Sequence, residues 1–217
     1  MAKSKYLNLR WRVAQWLEIR WWRQYLKRKP PAPYLQQKAA YWRRMAAEAG
    51  IAVPTGAQVL DAGCGPAGIF MILEHAAVTA VDPLLEQYRH LPHFEASNYP
   101  SVAFRQMALE DLQERSRYDV IFCLNVINHV ADLPRALHKL ALALKVNGTC
   151  WVSVDAHHFS ALQPIFAALP GDALHPHQHT RPQYEGLLRE AGFCIQRRRL
   201  LKPGGLFDYW IFQLKRS

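Results

Sequence analysis

The sequence contains no uninterrupted apolar run of the eighteen or so residues that a spanning helix needs, so no transmembrane segment is expected. Its basic N-terminus lacks the apolar stretch and small-residue cleavage site of a secretory signal, and the chain is expected to be made and kept in the cytosol. Cysteine is scarce: Cys64, Cys123, Cys150 and Cys194 stand far apart without a CxxC pair, which argues against a zinc or disulfide framework. Each lies in or beside an apolar strand-like run, where a free cysteine behaves as a small buried hydrophobe; Cys64, in a glycine loop, is the exception. Internal repeats and low-complexity tracts are absent, so a solenoid or disordered chain is not indicated.

Acidic residues are nearly missing from the first fifty positions. That segment holds twelve Lys and Arg against two Asp and Glu, while the remaining residues hold fifteen of each. The whole formal charge of +10 therefore resides in residues 1–50, together with five of the seven tryptophans: Trp11, Trp16, Trp21, Trp22 and Trp42. We divide the chain into a basic, aromatic helical arm over 1–50 and an electrically balanced domain over 51–217. Within the arm, Leu9, Val13, Trp16 and Leu17 among arginines predict an amphipathic helix over 6–26. Lys27-Arg28-Lys29 and Pro30-Pro31 read as a stop, and a second helix is predicted over 34–49 with Gly50 as its cap.

From residue 57 onward, short apolar runs alternate with helical windows, the pattern of a mostly parallel sheet with crossover helices. Strands are predicted at 58–61, 77–81, 102–106, 119–124, 149–154, 193–200 and 207–214. Helices are predicted at 68–75, 84–90, 133–144 and 181–191, the last capped by Thr180. The fold class is thus α/β, Rossmann-like, with a seven-stranded sheet flanked by helices.

The run Val59-Leu60-Asp61-Ala62-Gly63-Cys64-Gly65-Pro66-Ala67-Gly68 leaves a buried strand, turns on glycines and precedes a second strand ending in Asp82-Pro83, twenty-one residues beyond Asp61. Glycines allow the backbone to turn tightly and to approach a ligand closely. A carboxylate at the end of the second strand suits the two hydroxyls of a ribose. A dinucleotide is disfavoured, because Pro66 stands where phosphate-binding amides are wanted and Asp61 repels phosphate.

This stretch resembles motif I of the class I S-adenosylmethionine (SAM) dependent methyltransferases. The likeness continues through Val81-Asp82-Pro83, Leu109-Glu110-Asp111-Leu112, the strand Tyr118 to Leu124 with Asn125 and His129-Val130 beyond it, Leu144-Lys145-Val146-Asn147-Gly148, and Leu187-Leu188-Arg189-Glu190-Ala191-Gly192-Phe193. The resemblance implies SAM as cofactor, with Asp61, Gly63, Cys64 and Gly65 at its methionine end, Asp82 and Pro83 at the ribose, Leu109 and Glu110 at the adenine, and Asn125 beside the sulfonium. Ala108 departs from the family's usual acid, which leaves the adenine amino group to Glu110 or solvent.

His129 would face the methyl group, either as a general base or as a packing residue. Tyr41 and Trp42 are expected to close an acceptor pocket from the arm, with His157 and His177 lining it from the histidine-rich connection. The His175-x-His177-x-His179 pattern is read as pocket lining and no metal is expected. The acceptor is read as a small amphiphilic or anionic molecule. The arm reads as a lid over the cleft, as a peripheral contact with anionic membrane through residues 1–33, or, less well supported, as a nucleic-acid grip. Removal of residues 1–29 is expected to spare cofactor binding. Two rivals remain: an RNA methyltransferase, against which Asn125-Val126-Ile127-Asn128 lacks the proline-aromatic signature of exocyclic-amine enzymes, and a non-catalytic SAM-binding module, against which the acid–glycine–acid arrangement is intact.

Overall fold

A computed structural model describes residues 2–158 and 177–217, with side chains from Trp11 onward. The arm forms α1 (Ala2–Leu26) and α2 (Pro31–Ala49), the second ended by Gly50 at φ 70°. Seven strands follow: β1 (Gln58–Ala62), β2 (Ala77–Asp82), β3 (Val102–Gln106), β4 (Tyr118–Leu124), β5 (Leu144–His157), β6 (Phe193–Lys202) and β7 (Phe207–Arg216). Between them lie α3 (Leu85–Tyr88), α4 (Leu133–Ala143) and α5 (Arg181–Glu190). The sheet order is β3-β2-β1-β4-β5-β7-β6, parallel except for β7, which runs antiparallel to both β5 and β6. This is the expected seven-stranded, mostly parallel Rossmann-like sheet flanked by helices. The order reverses between β1 and β4, so a crevice opens beyond their carboxyl ends.

Each face of the sheet carries its own core. On one face α4 and α5 bury Leu133, Leu137, Leu140, Tyr184 and Leu188 against β4 and β5. On the other, Ile19 and Leu26 of α1 and Tyr34, Trp42 and Met45 of α2 share a core with Val59, Phe70, Val120 and Phe122. The arm helices thus cover one face of the sheet.

Two predicted helices contract. The one expected over 68–75 is a single 3₁₀ turn, Ile69–Ile72. Ile69, Phe70 and Met71 are all buried, so this segment has no polar side to give to water and sinks into the core. α2 packs against the turn and covers the surface a longer helix would take. The helix expected over 84–90 shortens to α3. At α5, Gln183 Oε1 accepts from the Thr180 amide at 2.8 Å, giving the expected cap. Cys64, Cys123 and Cys150 are buried, whereas Cys194 is exposed on edge strand β6, against its expected burial. Among the described residues no helix is long and apolar enough to cross a membrane.

Candidate active site

The crevice at the strand reversal is a cavity of about 610 Å³, within the usual range for small-molecule sites. It is lined by Asp61, Gly63, Cys64, Gly65, Asp82, Pro83, Leu109, Glu110, Asn125 and His129 from the sheet, and by Tyr41 and Trp42 from α2. The expected residues that fall elsewhere are His157 and His177. His157 is buried between Phe207 and the Gln178 side chain and lines a separate surface hollow. The His177 imidazole bonds the Val130 carbonyl at 2.9 Å, and its own carbonyl accepts from the Tyr184 hydroxyl at 2.9 Å. Both imidazoles hold the connection to the sheet rather than line the cleft. His175 lies outside the described residues. Among the described residues no cluster of three or more potential metal ligands occurs.

The glycine loop is built around two acids. Asp61 is the last residue but one of β1, and its Oδ2 accepts the Phe70 amide at 3.0 Å. Burial, with the nearby Asp82 charge adding to it, pushes its carboxyl up to about 7. Asp82 ends β2, where Oδ2 accepts from the Gly65 amide at 3.0 Å and Oδ1 from the Leu84 amide at 2.8 Å. Burial pushes this carboxyl up to about 6. Gly68, read from the sequence only as a helix start, proves essential to this arrangement. A Cβ there would overlap the Cys64 carbonyl oxygen and lie 2.5 Å from Asp61 Oδ2.

At the other end, Leu109 sits in the 3₁₀ turn Leu109–Asp111 and is buried. Glu110 Oε1 accepts from the Ala131 and Asp132 amides at 2.7 and 3.0 Å, so one oxygen is committed to the approach to α4. Only its second oxygen or solvent is left for an adenine amino group. Asn125 adopts φ 60°, a left-handed conformation that asparagine tolerates, as β4 ends. Its amide donates to the Ser153 carbonyl and hydroxyl, each at 3.0 Å. Ser153 Oγ lies 2.7 Å from the Tyr209 hydroxyl, and Tyr209 lines the cleft with Tyr41. Trp42 Nε1 donates to the Ala67 carbonyl at 2.9 Å and fixes α2 to the loop.

The arm reaches further into the cleft than the sequence indicated. Trp11, Gln15, Glu18, Trp21, Trp22 and Tyr25 of α1 join the lining. The Trp22 ring stands edge-on to Tyr88 with centroids 6.3 Å apart, and a Cβ built on Gly65 would lie 3.9 Å from Trp22 Cζ2. Burial and the Asp82 charge push Glu18 up to about 8. Glu18 was passed over in the sequence because charge was summed over the arm. The available signal was that it is the single acid in α1. Lys38 of α2 lies 5.1 and 5.0 Å from the Tyr41 and Trp42 ring centroids, and desolvation holds its amine below the usual range.

SAM fits this cleft on the chain's own chemistry. Glu18, Asp61 and Asp82 form a desolvated acidic cluster around the glycine loop, matched to a ligand bearing a sulfonium, an ammonium and two ribose hydroxyls. Asp82→Ala should weaken SAM binding ten- to a hundredfold, a loss of about 1.5–3 kcal/mol, measured by calorimetry on the folded variant. Unchanged affinity would remove Asp82 from the ribose site.

Comparison with known proteins agrees with this geometry. A family model described as a methyltransferase domain matches residues 34–198. A ubiquinone biosynthesis O-methyltransferase of Rickettsia prowazekii is 33% identical over 98 residues, covering 44% of this chain and 39% of that protein. The chain thus spans about two fifths of the length of the curated relatives it matches. Among solved structures, the 1,6-didemethyltoxoflavin-N1-methyltransferase of Burkholderia thailandensis, with bound S-adenosylhomocysteine, superimposes with a TM-score of 0.58 at 21% identity, covering 87% of this chain and 80% of that one. The magnesium protoporphyrin IX methyltransferase of Synechocystis PCC 6803, also with S-adenosylhomocysteine, gives a TM-score of 0.58 at 21% identity, covering 85% and 83%. With the family model spanning most of the chain and an acid–glycine–acid cleft at the strand reversal, the protein belongs to the methyltransferase-domain family.

Proposed function

We propose that the protein transfers the SAM methyl group to a small amphiphilic or anionic acceptor, which enters between the arm helices and the end of β4. The observation that carries this reading is the aromatic wall that Trp11, Trp21, Tyr25, Tyr34 and Tyr41 build opposite the glycine loop, interrupted by Lys38 and Lys202. The rings offer apolar contact area, and the lysines offer places for an acceptor's anionic group. The Rickettsia relatives are named for O-methylation in ubiquinone biosynthesis, and the two structural neighbours for methylating 1,6-didemethyltoxoflavin and magnesium protoporphyrin IX, all small molecules.

Bound SAM supplies an electrophilic methyl group on a sulfonium that keeps the electron pair when the carbon–sulfur bond breaks. The chain's contribution is therefore mainly positioning. Asp61 and Asp82 hold the cofactor, the left-handed turn at Asn125 sets the edge of the cleft, and α1 and α2 exclude water. His129 lines the cleft, with its amide bonded to the Val126 carbonyl at 2.8 Å, and in this reading it would take a proton from an acceptor that must lose one. Incubation with methyl-labelled SAM and a cell extract, followed by separation into small molecules, protein and nucleic acid, should leave the label with the small molecules. Label confined to RNA would reverse the assignment.

We further propose that the arm's outer surface touches anionic membrane. On α1, Val13 and Trp16 are exposed outside the cleft, with Trp16 57% exposed, and Arg12, Arg20 and Arg23 lie around them. The Arg20 guanidinium lies 5.5 Å from the Trp16 ring centroid. Each cation near an anionic bilayer contributes about 1 kcal/mol, and tryptophan settles at the interface. Residues 1–33 should confer binding to anionic liposomes that weakens with salt, and neutral liposomes should bind poorly. Indifference to anionic liposomes, with steeply salt-dependent binding to structured RNA, would replace the membrane with nucleic acid.

A further inference from the structure

Asp82 stands at the ribose position with about half its accepting capacity already used. A carboxylate offers about four lone-pair sites. The Gly65 amide takes one on Oδ2 and the Leu84 amide one on Oδ1, so each oxygen is already half engaged. A vicinal diol brings two further donors, which would use the last site on each oxygen, so a second acceptor beside Asp82 would share them.

The second acceptor is at hand in the arm. Glu18 lines the cleft beside Asp82, close enough for the two charges to act on each other. Its position is fixed by packing. Ala14, Ile19 and Leu26 bury the underside of α1, while Trp22 stands edge-on against Tyr88 and covers Gly65. A carboxylate desolvated beside another carboxylate is costly unless a ligand answers it.

We propose that Glu18 is a cofactor-binding residue, pairing with Asp82 across the two ribose hydroxyls, so that tight cofactor binding requires α1 closed on the glycine loop. The consequence is a proton linkage. Glu18, Asp82 and Asp61 are all raised toward or past neutrality by burial, Glu18 and Asp61 further by the Asp82 charge. Among the described residues, the other groups acting on the pair are the Tyr88 phenol and the Cys64 thiol, themselves pushed up by burial, and the Trp22 indole, none of them a cation. Lys38, on α2, is shifted by desolvation alone, with no carboxylate answering it. The ligand-free site therefore holds protons near pH 7. Hydroxyl donors and a sulfonium favour the charged carboxylates, so binding expels protons, and affinity rises with pH from about 6 to 8.

The inference rests on SAM occupying the glycine loop, which wild-type binding checks separately. The test is calorimetric titration of SAM into the full chain at pH 7, in phosphate and in Tris, whose ionisation enthalpies differ. Titrations of adenosine and 2′-deoxyadenosine run alongside. Wild type should release protons on binding SAM and prefer adenosine. Glu18→Gln, close to isosteric, should bind SAM at least tenfold more weakly, release fewer protons, and lose most of the preference for the 2′-hydroxyl. A folded variant with wild-type affinity and proton release would show that Glu18 only packs. Weaker binding with the hydroxyl preference intact would likewise assign it a structural role. If the variant does not fold, absence of proton release in the wild type alone overturns the pairing.

Discussion

Gly63→Val should abolish SAM binding and lower the thermal midpoint together. The sequence suggests that a side chain at 63 would fill space the cofactor needs, but the structure places another residue there. A Cβ on Gly63 would overlap the two methyl carbons of Val126. Gly63 also holds φ 75°, where an L side chain costs roughly 1–2 kcal/mol and a β-branched one more. Overpacking adds roughly 1–3 kcal/mol, a large part of the 5–15 kcal/mol by which domains are typically stable. The damage spreads along two paths. The Gly63 and Cys64 amides both donate to the Val81 carbonyl, at 2.8 and 3.1 Å, so a shift at 63 moves the end of β2 and with it Asp82. Val126 follows Asn125, and its carbonyl accepts the His129 amide, so displacement there disturbs the edge of the cleft facing the acceptor. Scanning calorimetry and SAM titration check the variant. A wild-type midpoint with wild-type affinity would mean that Val126 and the loop part without cost.

Removing residues 1–29 should cost at least tenfold in SAM affinity and nearly all transfer to the natural acceptor. From charge alone the arm reads as separable, and its loss is expected to spare the cofactor. The packing reverses that expectation. Ile19 and Leu26 are buried in the core that also holds Val59 and Phe122, and each large apolar side chain stripped away forfeits about 1.5–3 kcal/mol of burial. Deletion uncovers Tyr34 and Tyr88, opens the glycine loop beneath Trp22, and removes Glu18 from beside Asp82. It also takes away most of the aromatic wall. Circular dichroism should show the sheet domain retained, and calorimetry the weakened cofactor. Unchanged affinity in a folded truncation would make α1 a surface element, leaving its exposed tryptophans and arginines as its whole role.

The cofactor end was legible because spacing encodes it. An apolar strand, Asp61, paired glycines and a second strand ending in Asp82 admit few other geometries, and these residues do converge on one cleft. The reversal of β7 was not legible, since a period of two carries no direction and a strand inserted antiparallel reads like any other. The segment 68–75 was misread as a helix because an apolar run looks alike in a helix and in a buried turn, and here Asp61 captures the Phe70 amide. His157 and His177 were misplaced because residue type does not say which way a long connection turns. Their bonds to Gln178 and the Val130 carbonyl draw them outside the cleft. The arm was half legible. Its aromatics divide between two sides of α1, Trp22 inward and Trp16 outward, so no single amphipathic face announces where it docks.

The most direct test of the central claim, a SAM site formed by the glycine loop between Asp61 and Asp82, is calorimetric titration of the full chain with SAM and, separately, with NAD. Micromolar binding of SAM with no heat from NAD is the predicted result. Binding of NAD by protein that ignores SAM would contradict the assignment of the cleft.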